Sequence, residues 1–357
     1  MKRNRRGKRV VVITGASSGF GRGAALRFAK AGDNVVIAAR RESLLEEVAQ
    51  QCRKAGVEAL AVEADVSNAA DIHKLAEQAL DKFSRIDVWV NNAGVGTVAR
   101  FEEAPLEEHE QVIRTNLMGT IYGSYEALKQ FREQGRGVLI NLASFAGKVA
   151  PPYMSSYAAS KFGIRGLGMA LRQELAQNGE DKIQVSTIMP VSFDTPFFEH
   201  AANHSGKRVK PIGSVYDPKE VIETIFQMSN APEDEVVVGT EGKLSSIAQR
   251  LSPKLVEKQM AKQAQSTQME QTETAKDSSG SLFRPMKKGS NVYGGWTNAS
   301  QSSADWESED RELASDDGGS GKGRLGVVAG ILVPVGMGVA YLLRQHRQQN
   351  ERWEQAA

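Results

Sequence analysis

Four branched aliphatic residues, Val10-Val11-Val12-Ile13, run straight into Thr14-Gly15-Ala16-Ser17-Ser18-Gly19-Phe20-Gly21 and then into a helix-like stretch from Gly23 to Ala31. An apolar run without alternation reads as a strand buried on both faces, which belongs in a parallel sheet covered by helices. The turn that follows has its glycines where chain geometry needs them. Gly15 permits a sharp turn, Gly19 a close approach of backbone to a pyrophosphate, and Gly21 close helix packing, while free amides at the helix start receive negative charge. Strand, glycine-rich turn and helix form the first unit of a dinucleotide-binding fold, here spaced GxxxGxG instead of GxGxxG. Thr14, Ser17, Ser18 and Phe20 share the turn and join the glycines as candidate cofactor contacts. A plain tight turn is the competing reading of this loop taken alone.

The next apolar run, Asn34 to Ala39, ends at Arg40-Arg41. An acidic side chain at that strand end would bind a ribose 2′-hydroxyl, whereas arginine suits a 2′-phosphate, so NADP is expected in preference to NAD. The alternative is that both arginines begin a solvated helix. Further strands are predicted at 57–62, 86–91, 137–142, 183–189 and 235–238, with helical patterns such as 71–83 and 106–131 between them. This alternation predicts an α/β fold, one Rossmann-type, doubly wound, mostly parallel sheet in a single catalytic domain spanning 9–250. Asn91-Asn92-Ala93-Gly94 closes the fourth strand, at the carboxyl edge where open sheets bind ligands. Asn116 stands inside a predicted helix although asparagine is a poor helix former, which calls for a local reason.

Further along, Ser144 precedes Tyr157-Ala158-Ala159-Ser160-Lys161. If Tyr157 begins a helix, Lys161 lies one turn on along the same face. A free phenol titrates near pH ~10, and an adjacent ammonium stabilises the phenolate, so the two side chains form a candidate proton-transfer unit with a lowered phenol pKa. Ser144 would hydrogen-bond the substrate oxygen. By itself the spacing is also that of a chance pair on a helix surface.

Taken in order, Thr14 to Gly21, Asp65, Asn91 to Gly94, Asn116, Ser144, Tyr157 to Lys161 and Pro190 to Thr195 resemble the short-chain dehydrogenase/reductase family over about the first 250 residues. The resemblance implies Tyr157 as general acid/base, Lys161 as the group that lowers its pKa and binds the nicotinamide ribose, Ser144 as holder of the carbonyl, and Asn116 as support of a water chain. It implies Asp65 and Val66 at the adenine and Asn91 near the adenosine ribose. Asn92, Ala93, Gly94 and Pro190 become further cofactor contacts, and Thr195 reaches the carboxamide. It also implies hydride transfer between NADP(H) and a carbonyl or secondary alcohol, and pairing into homodimers or homotetramers. One departure is Val191, where the family has glycine after Pro190. A β-branched residue does not adopt positive φ cheaply, so the loop over the nicotinamide is expected to be shaped differently.

Loops that should flank the nicotinamide, 95–101, 145–153 and 193–198, are apolar and aromatic. They favour a hydrophobic carbonyl or alcohol as substrate, with plain loop packing as the alternative. His200 and His204 stand four apart without an accompanying carboxylate or thiol cluster, so no metal is read there.

At 357 residues the chain exceeds what one such domain needs, and the surplus is C-terminal. Residues 251–324 read as an amphipathic helix starting at Ser252-Pro253, followed from Ser266 to Ser320 by a disordered linker poor in aliphatics. Trp296 and Trp306 in that linker are candidate partner-binding positions, and 305–317 is acidic. Leu325 to Leu343 is uncharged. As a helix it would reach about 28 Å, enough to cross a ~30 Å hydrocarbon core. A transmembrane helix is expected there, with an oligomerisation helix as the alternative, and a polar tail follows at 344–357. The basic N-terminal arm, 1–8, leads directly into the first strand without a signal peptide, which places the catalytic domain of a single-pass membrane protein on the cytoplasmic side. The single cysteine, Cys52, permits no internal disulfide, and a net charge of +2 gives no case for nucleic acid as a partner. The competing functional class is a membrane-tethered NADP(H)-sensing or scaffold module without turnover. The presence of Ser144, Tyr157 and Lys161 argues against it.

Overall fold

The computed structural model describes residues 7–286 and 288–297. Its strands are β1 (Val10–Thr14), β2 (Asn34–Ala39), β3 (Ala59–Glu63), β4 (Val88–Asn91), β5 (Thr97–Val98), β6 (Gly137–Leu142), β7 (Ile183–Pro190), β8 (Ala202–Asn203) and β9 (Glu235–Val238). Seven of them form one parallel sheet in the order β3-β2-β1-β4-β6-β7-β9, and β5 pairs with β8 apart from it. Chain direction across the sheet reverses between β1 and β4, the place where such sheets leave a crevice beyond their carboxyl ends.

Helices cover both faces, as the unbroken apolar strands require. They are α1 (Gly19–Lys30), α2 (Glu42–Lys54), α3 (Ala69–Phe83), α4 (Leu106–Ile113), α5 (Gly119–Gln134), α6 (Ser155–Gln177), α7 (Phe197–His200), α8 (Lys219–Met228), α9 (Thr240–Leu251) and α10 (Pro253–Ala264). Every residue of β1 is buried, and alternate side chains serve opposite layers. Val11 and Ile13 pack with Phe28, Leu45, Val221 and Ile225, whereas Val10 and Val12 pack with Ile72, Leu75 and Phe131.

The helix predicted over 106–131 is continuous but changes winding midway. A π-helical turn, Arg114–Met118, separates α4 from α5 and contains Asn116. The local reason is a pair of side-chain bonds from Asn116 to the backbone of Val95, which a uniformly wound helix surface would not present to that loop.

The C-terminal expectation is corrected more substantially. The helix at Ser252-Pro253 exists as α10, with Pro253 at its first position. The described part of the expected disordered linker, from 266 to 297, instead folds back onto the domain. Thr274 and Ser278 bridge to Lys207 and Asn203 beside β8, and Leu282 and Gln268 are fully buried. Composition failed here because it counts only the apolar surface a segment can bury in a core of its own. This segment takes its order from contacts with the rest of the domain. Trp296, a candidate partner-binding position, is bonded to the backbone of Thr195 and to Asp194.

Residues 1–6 of the basic arm, the acidic stretch 305–317, Trp306, the uncharged run 325–343 and the tail 344–357 lie outside the described residues. Among the described residues no helix is long and apolar enough to cross a membrane.

Candidate active site

The turn between β1 and α1 takes the form its glycines predict. Gly15 has φ +68° and Gly19 φ +54°, both in the left-handed region. Gly21 is needed for closeness instead: a Cβ there would stand 2.5 Å from the Gly15 carbonyl oxygen and from Asn92 Nδ2. Asn92 locks the turn by donating to the carbonyls of Thr14 (2.9 Å) and Gly15 (3.3 Å), while Thr14 Oγ1 accepts from the Asn92 amide. Phe20 packs edge-on against Phe193 at 5.7 Å between ring centroids.

Arg40 and Arg41 follow the end of β2, and Arg41, the cap residue of α2, is partly buried. Arg41 donates to Ser17 Oγ (2.9 Å) and Ser18 Oγ (3.0 Å). Burial, with Arg40 and Arg22 close by, holds the Arg41 guanidinium below its ordinary pKa. Like charges gathered at a partly buried site are compensated when an anion joins them, which suits a phosphate. Asp65 sits beside Arg40 at 3.9 Å and caps its own turn by accepting from the amide and hydroxyl of Ser67. Val66 is buried against Gly119. Asn91, expected near the adenosine ribose, is instead a buried brace. Its side chain accepts from Trp89 Nε1 (2.8 Å) and donates to Asn141 Oδ1 (2.9 Å) and Ser124 Oγ (3.2 Å).

At the other end of the crevice, Tyr157 lies in the first turn of α6 and Lys161 one turn later. Lys161 Nζ lies 5.6 Å from the centre of the Tyr157 ring and donates to the Leu142 carbonyl at 2.8 Å. Ser144 Oγ accepts from the Ala146 amide at 3.1 Å and faces the phenol. Asn116 holds the opposite wall, accepting from Val95 N (2.8 Å) and donating to Val95 O (2.9 Å) and Ser160 Oγ (3.0 Å). Ser160 in turn donates to the Tyr157 carbonyl at 2.7 Å, so the π-helical turn and the start of α6 are tied together. A methyl group placed on Gly94 would stand 3.5 Å from both Asn116 Oδ1 and Lys161 Nζ, which shows how closely these groups converge.

The electrostatics differ from the sequence expectation. Burial pushes the Tyr157 phenol up to about 12, against a smaller opposing effect of Ser144, and burial brings the Lys161 ammonium down to about 7. Desolvation favours the neutral form of each group.

Pro190 ends β7, and the ladder continues one residue further because Val191 N donates to Val238 O at 3.2 Å. Val191 does not adopt a positive φ. The positive φ is at Gly239 instead, at +103°, and a Cβ there would stand 2.4 Å from Val191 Cγ2. A Cβ on Gly242 would stand 2.5 Å from Cγ1. The valine methyls thus fill the space above two glycines. Thr195 is buried and close to Gly19.

Sequence reasoning missed one neighbour of the phenol, Leu282, and named two others only as members of loops. Leu282 packs in one apolar cluster with Val95, Val112 and Ala202 against Tyr157, and Phe197 lies 5.3 Å from the Tyr157 ring. Tyr153, with φ +65°, belongs to a second cluster around Tyr157 with Val98, Met154 and Val209. The two aromatics fell within predicted pocket loops, but nothing local to Leu282 marks it.

His200 Nε2 donates to the Lys288 carbonyl (2.9 Å), and His204 pairs with buried Glu108 at 2.9 Å.

The profile of the short chain dehydrogenases matches residues 9–205. The chain belongs to the short-chain dehydrogenase family. This dehydrogenase is 35% identical over 255 residues to an uncharacterized oxidoreductase of Bacillus subtilis, YxnA, with 71% of each chain covered. It is 36% identical over 220 residues to 3beta-hydroxysteroid dehydrogenase 1 of Eggerthella lenta, covering 60% of this chain and 83% of that one. Among solved structures, a short-chain dehydrogenase from Streptomyces avermitilis superposes with a TM-score of 0.62 at 27% identity, over 73% of this chain and 99% of that one. The 3-ketoacyl-(acyl-carrier-protein) reductase of Brucella melitensis, solved in complex with NADH, gives 0.56 at 32% identity, over 65% and 97%. The dehydrogenase is therefore an oxidoreductase of a family that uses NAD(P)(H).

Proposed function

We propose that this dehydrogenase reduces a hydrophobic ketone or aldehyde with NADPH, or oxidises the matching alcohol, with Tyr157 as general acid/base. The observation that carries the reading is the convergence of Ser144, Tyr157 and Lys161 at the end of a crevice whose other end is lined by Arg40, Arg41 and the glycine turn. When bound, the nicotinamide supplies or accepts the hydride. Arg41, with Ser17 and Ser18 held on its guanidinium, would receive the 2′-phosphate with Arg40 beside it, and the amides of the glycine turn would take the pyrophosphate.

Tyr157 Oη donates its proton to the carbonyl oxygen during reduction, and Ser144 Oγ donates a second hydrogen bond where negative charge develops. The neutral phenol favoured by burial is the form an acid needs. As the proton leaves, the phenolate is stabilised by Lys161 in its ammonium form, the proton of which comes from solvent. Asn116 keeps this geometry by fixing Val95 and Ser160. The apolar clusters on both sides of Tyr157 support a hydrophobic substrate. The uncharged run 325–343 supports a membrane tether, for which retention of the full chain in the membrane pellet after alkaline carbonate extraction is expected.

The deciding experiment measures NADPH oxidation by the full chain over aliphatic, aromatic and steroidal ketones, beside Tyr157→Phe and with NADH as control. Turnover that prefers NADPH and is lost in Tyr157→Phe is the expected result. Tight NADPH binding without Tyr157-dependent turnover on any ketone or matching alcohol would point to the sensing or scaffold class.

A further inference from the structure

The Gly19 amide, Arg40 and Arg41, assigned to the cofactor, already donate to backbone carbonyls of one segment. The Gly19 amide donates to the Asn291 carbonyl (2.9 Å) and Arg22 to that of Ser290 (3.0 Å). Arg41 donates to the carbonyls of Met286 (3.2 Å), Lys288 (3.3 Å) and Gly289 (3.4 Å). Arg40 donates to those of Ser281 and Leu282. Between these polar contacts the Leu282 side chain is fully buried in the cluster that packs against Tyr157. The segment is fixed at both ends. Ser278 pairs with Asn203, and a Cβ on Gly280 (φ +52°) would stand 2.3 Å from the His200 carbonyl. At the far end Asp194, itself fully buried, accepts from the amides of Gly294, Trp296 and Thr297.

We propose that residues 278–286 and 288–297 act as an autoinhibitory strap, an intramolecular ligand of the dinucleotide crevice that must leave before NADP(H) can bind. This rests on the reading of that crevice as the NADP(H) site. A clasp that closes over a bound cofactor would leave the phosphate-binding donors free beneath it. Here the donors themselves are taken, by carbonyl oxygens that imitate phosphate oxygens in hydrogen-bond chemistry but not in charge. A dinucleotide running from Arg40 and Arg41 to Tyr157 also needs the volume that Leu282 fills. Charged acceptors bind arginine about twice as strongly as neutral ones, so the cofactor displaces the strap once its concentration suffices. The strap then sets a threshold, because the apparent dissociation constant is the intrinsic one divided by the open fraction.

The test is fluorescence titration of NADPH and NADH into the full chain and into full-length Gly280→Val and Leu282→Ser variants, with amide hydrogen exchange of the unmodified chain. Both substitutions lie in the strap and outside the catalytic and cofactor-binding residues. Both variants should bind NADPH about tenfold more tightly, or better, if the strap is closed about nine-tenths of the time. Saturating NADPH should speed exchange at 281–291 in the unmodified chain. Equal affinities in all three proteins, or NADPH-induced protection of 281–291, would overturn the strap. If the variants bind neither nucleotide, the cofactor reading fails and the strap with it. If the variants gain affinity for both nucleotides without preferring NADPH, the strap stands and only the NADP preference fails.

Discussion

Lys161→Met should make the protein more stable at low pH and less stable at high pH. The ammonium is buried, and its pKa falls from 10.5 to about 7 for that reason. A fall of that size corresponds to about 5 kcal/mol of penalty on the charged form. Below pH ~7 the lysine is charged in both the folded and the unfolded chain, so the folded state bears the full penalty. Between about 7 and 10.5 the unfolded chain still holds a proton that the folded one has lost, and stability rises with pH across that window. Above it the penalty is gone. Methionine fills similar volume without a charge, but it leaves the Leu142 carbonyl without its 2.8 Å donor, at a cost of about 1–3 kcal/mol at every pH. The variant should therefore gain about 2–4 kcal/mol at pH ~6 and lose about 1–3 kcal/mol at pH ~11. Tyr157 is present in both proteins, so its raised pKa contributes little to the difference.

Urea denaturation of the two full-length chains at several values between those limits, without added nucleotide, gives the comparison directly. A stability difference that does not change with pH would refute the argument, as would a variant that is weaker at pH ~6. Activity should be lost in either case, since nothing then accompanies the phenolate.

Gly21→Ala should destabilise the protein by about 1–3 kcal/mol in urea denaturation and weaken NADPH binding, because its methyl would press on the Gly15 carbonyl and Asn92. Val191→Gly should cost about 1–2 kcal/mol while leaving Tyr157-dependent turnover within a few-fold, if the departure from the family pattern is compensated by Gly239 and Gly242. Asn116→Ala leaves both backbone groups of buried Val95 unpaired; thermal unfolding should show a loss of about 2–4 kcal/mol, and kcat should fall more than KM rises.

Most of the sheet could be read from the sequence because each strand is a short apolar run bounded by turn residues, and burial on both faces leaves few other ways to place such a run. The glycine turn was legible for the same reason, since Gly15 and Gly21 are positions where a Cβ has no room. What could not be read depended on partners distant in sequence. Asn91 and Asn92 are adjacent and chemically identical, yet one faces the sheet interior and the other the turn. The phenol pKa was misjudged because spacing reports the neighbouring ammonium but not the burial of both groups. Val191 was read as a distortion because its compensation lies at Gly239, nearly fifty residues on. The strap was invisible for a related reason: its composition reports the absence of a core, while its order comes from Arg40, Arg41 and Asp194.

Three broken local rules meet around one phenol. Asn116 sits in a π-helical turn, Tyr153 has φ +65° without being glycine, and Lys161 is a buried cation. Each arrangement is unfavourable by about 1–3 kcal/mol or more when considered alone, and each persists only where surrounding structure leaves no alternative. The Val95 bonds supply that constraint for Asn116, the Leu142 carbonyl for Lys161, and the apolar cluster with Val98 and Met154 for Tyr153. All three surround Tyr157, and the strap inserts Leu282 at the same place. A fold optimised for stability alone would relieve Lys161 first, because methionine fits the space and removes the largest single penalty. That the most destabilising residue of the site is also the one the proton transfer requires is the physical argument for chemistry at Tyr157, and the pH-dependent crossover of Lys161→Met measures that penalty separately from turnover.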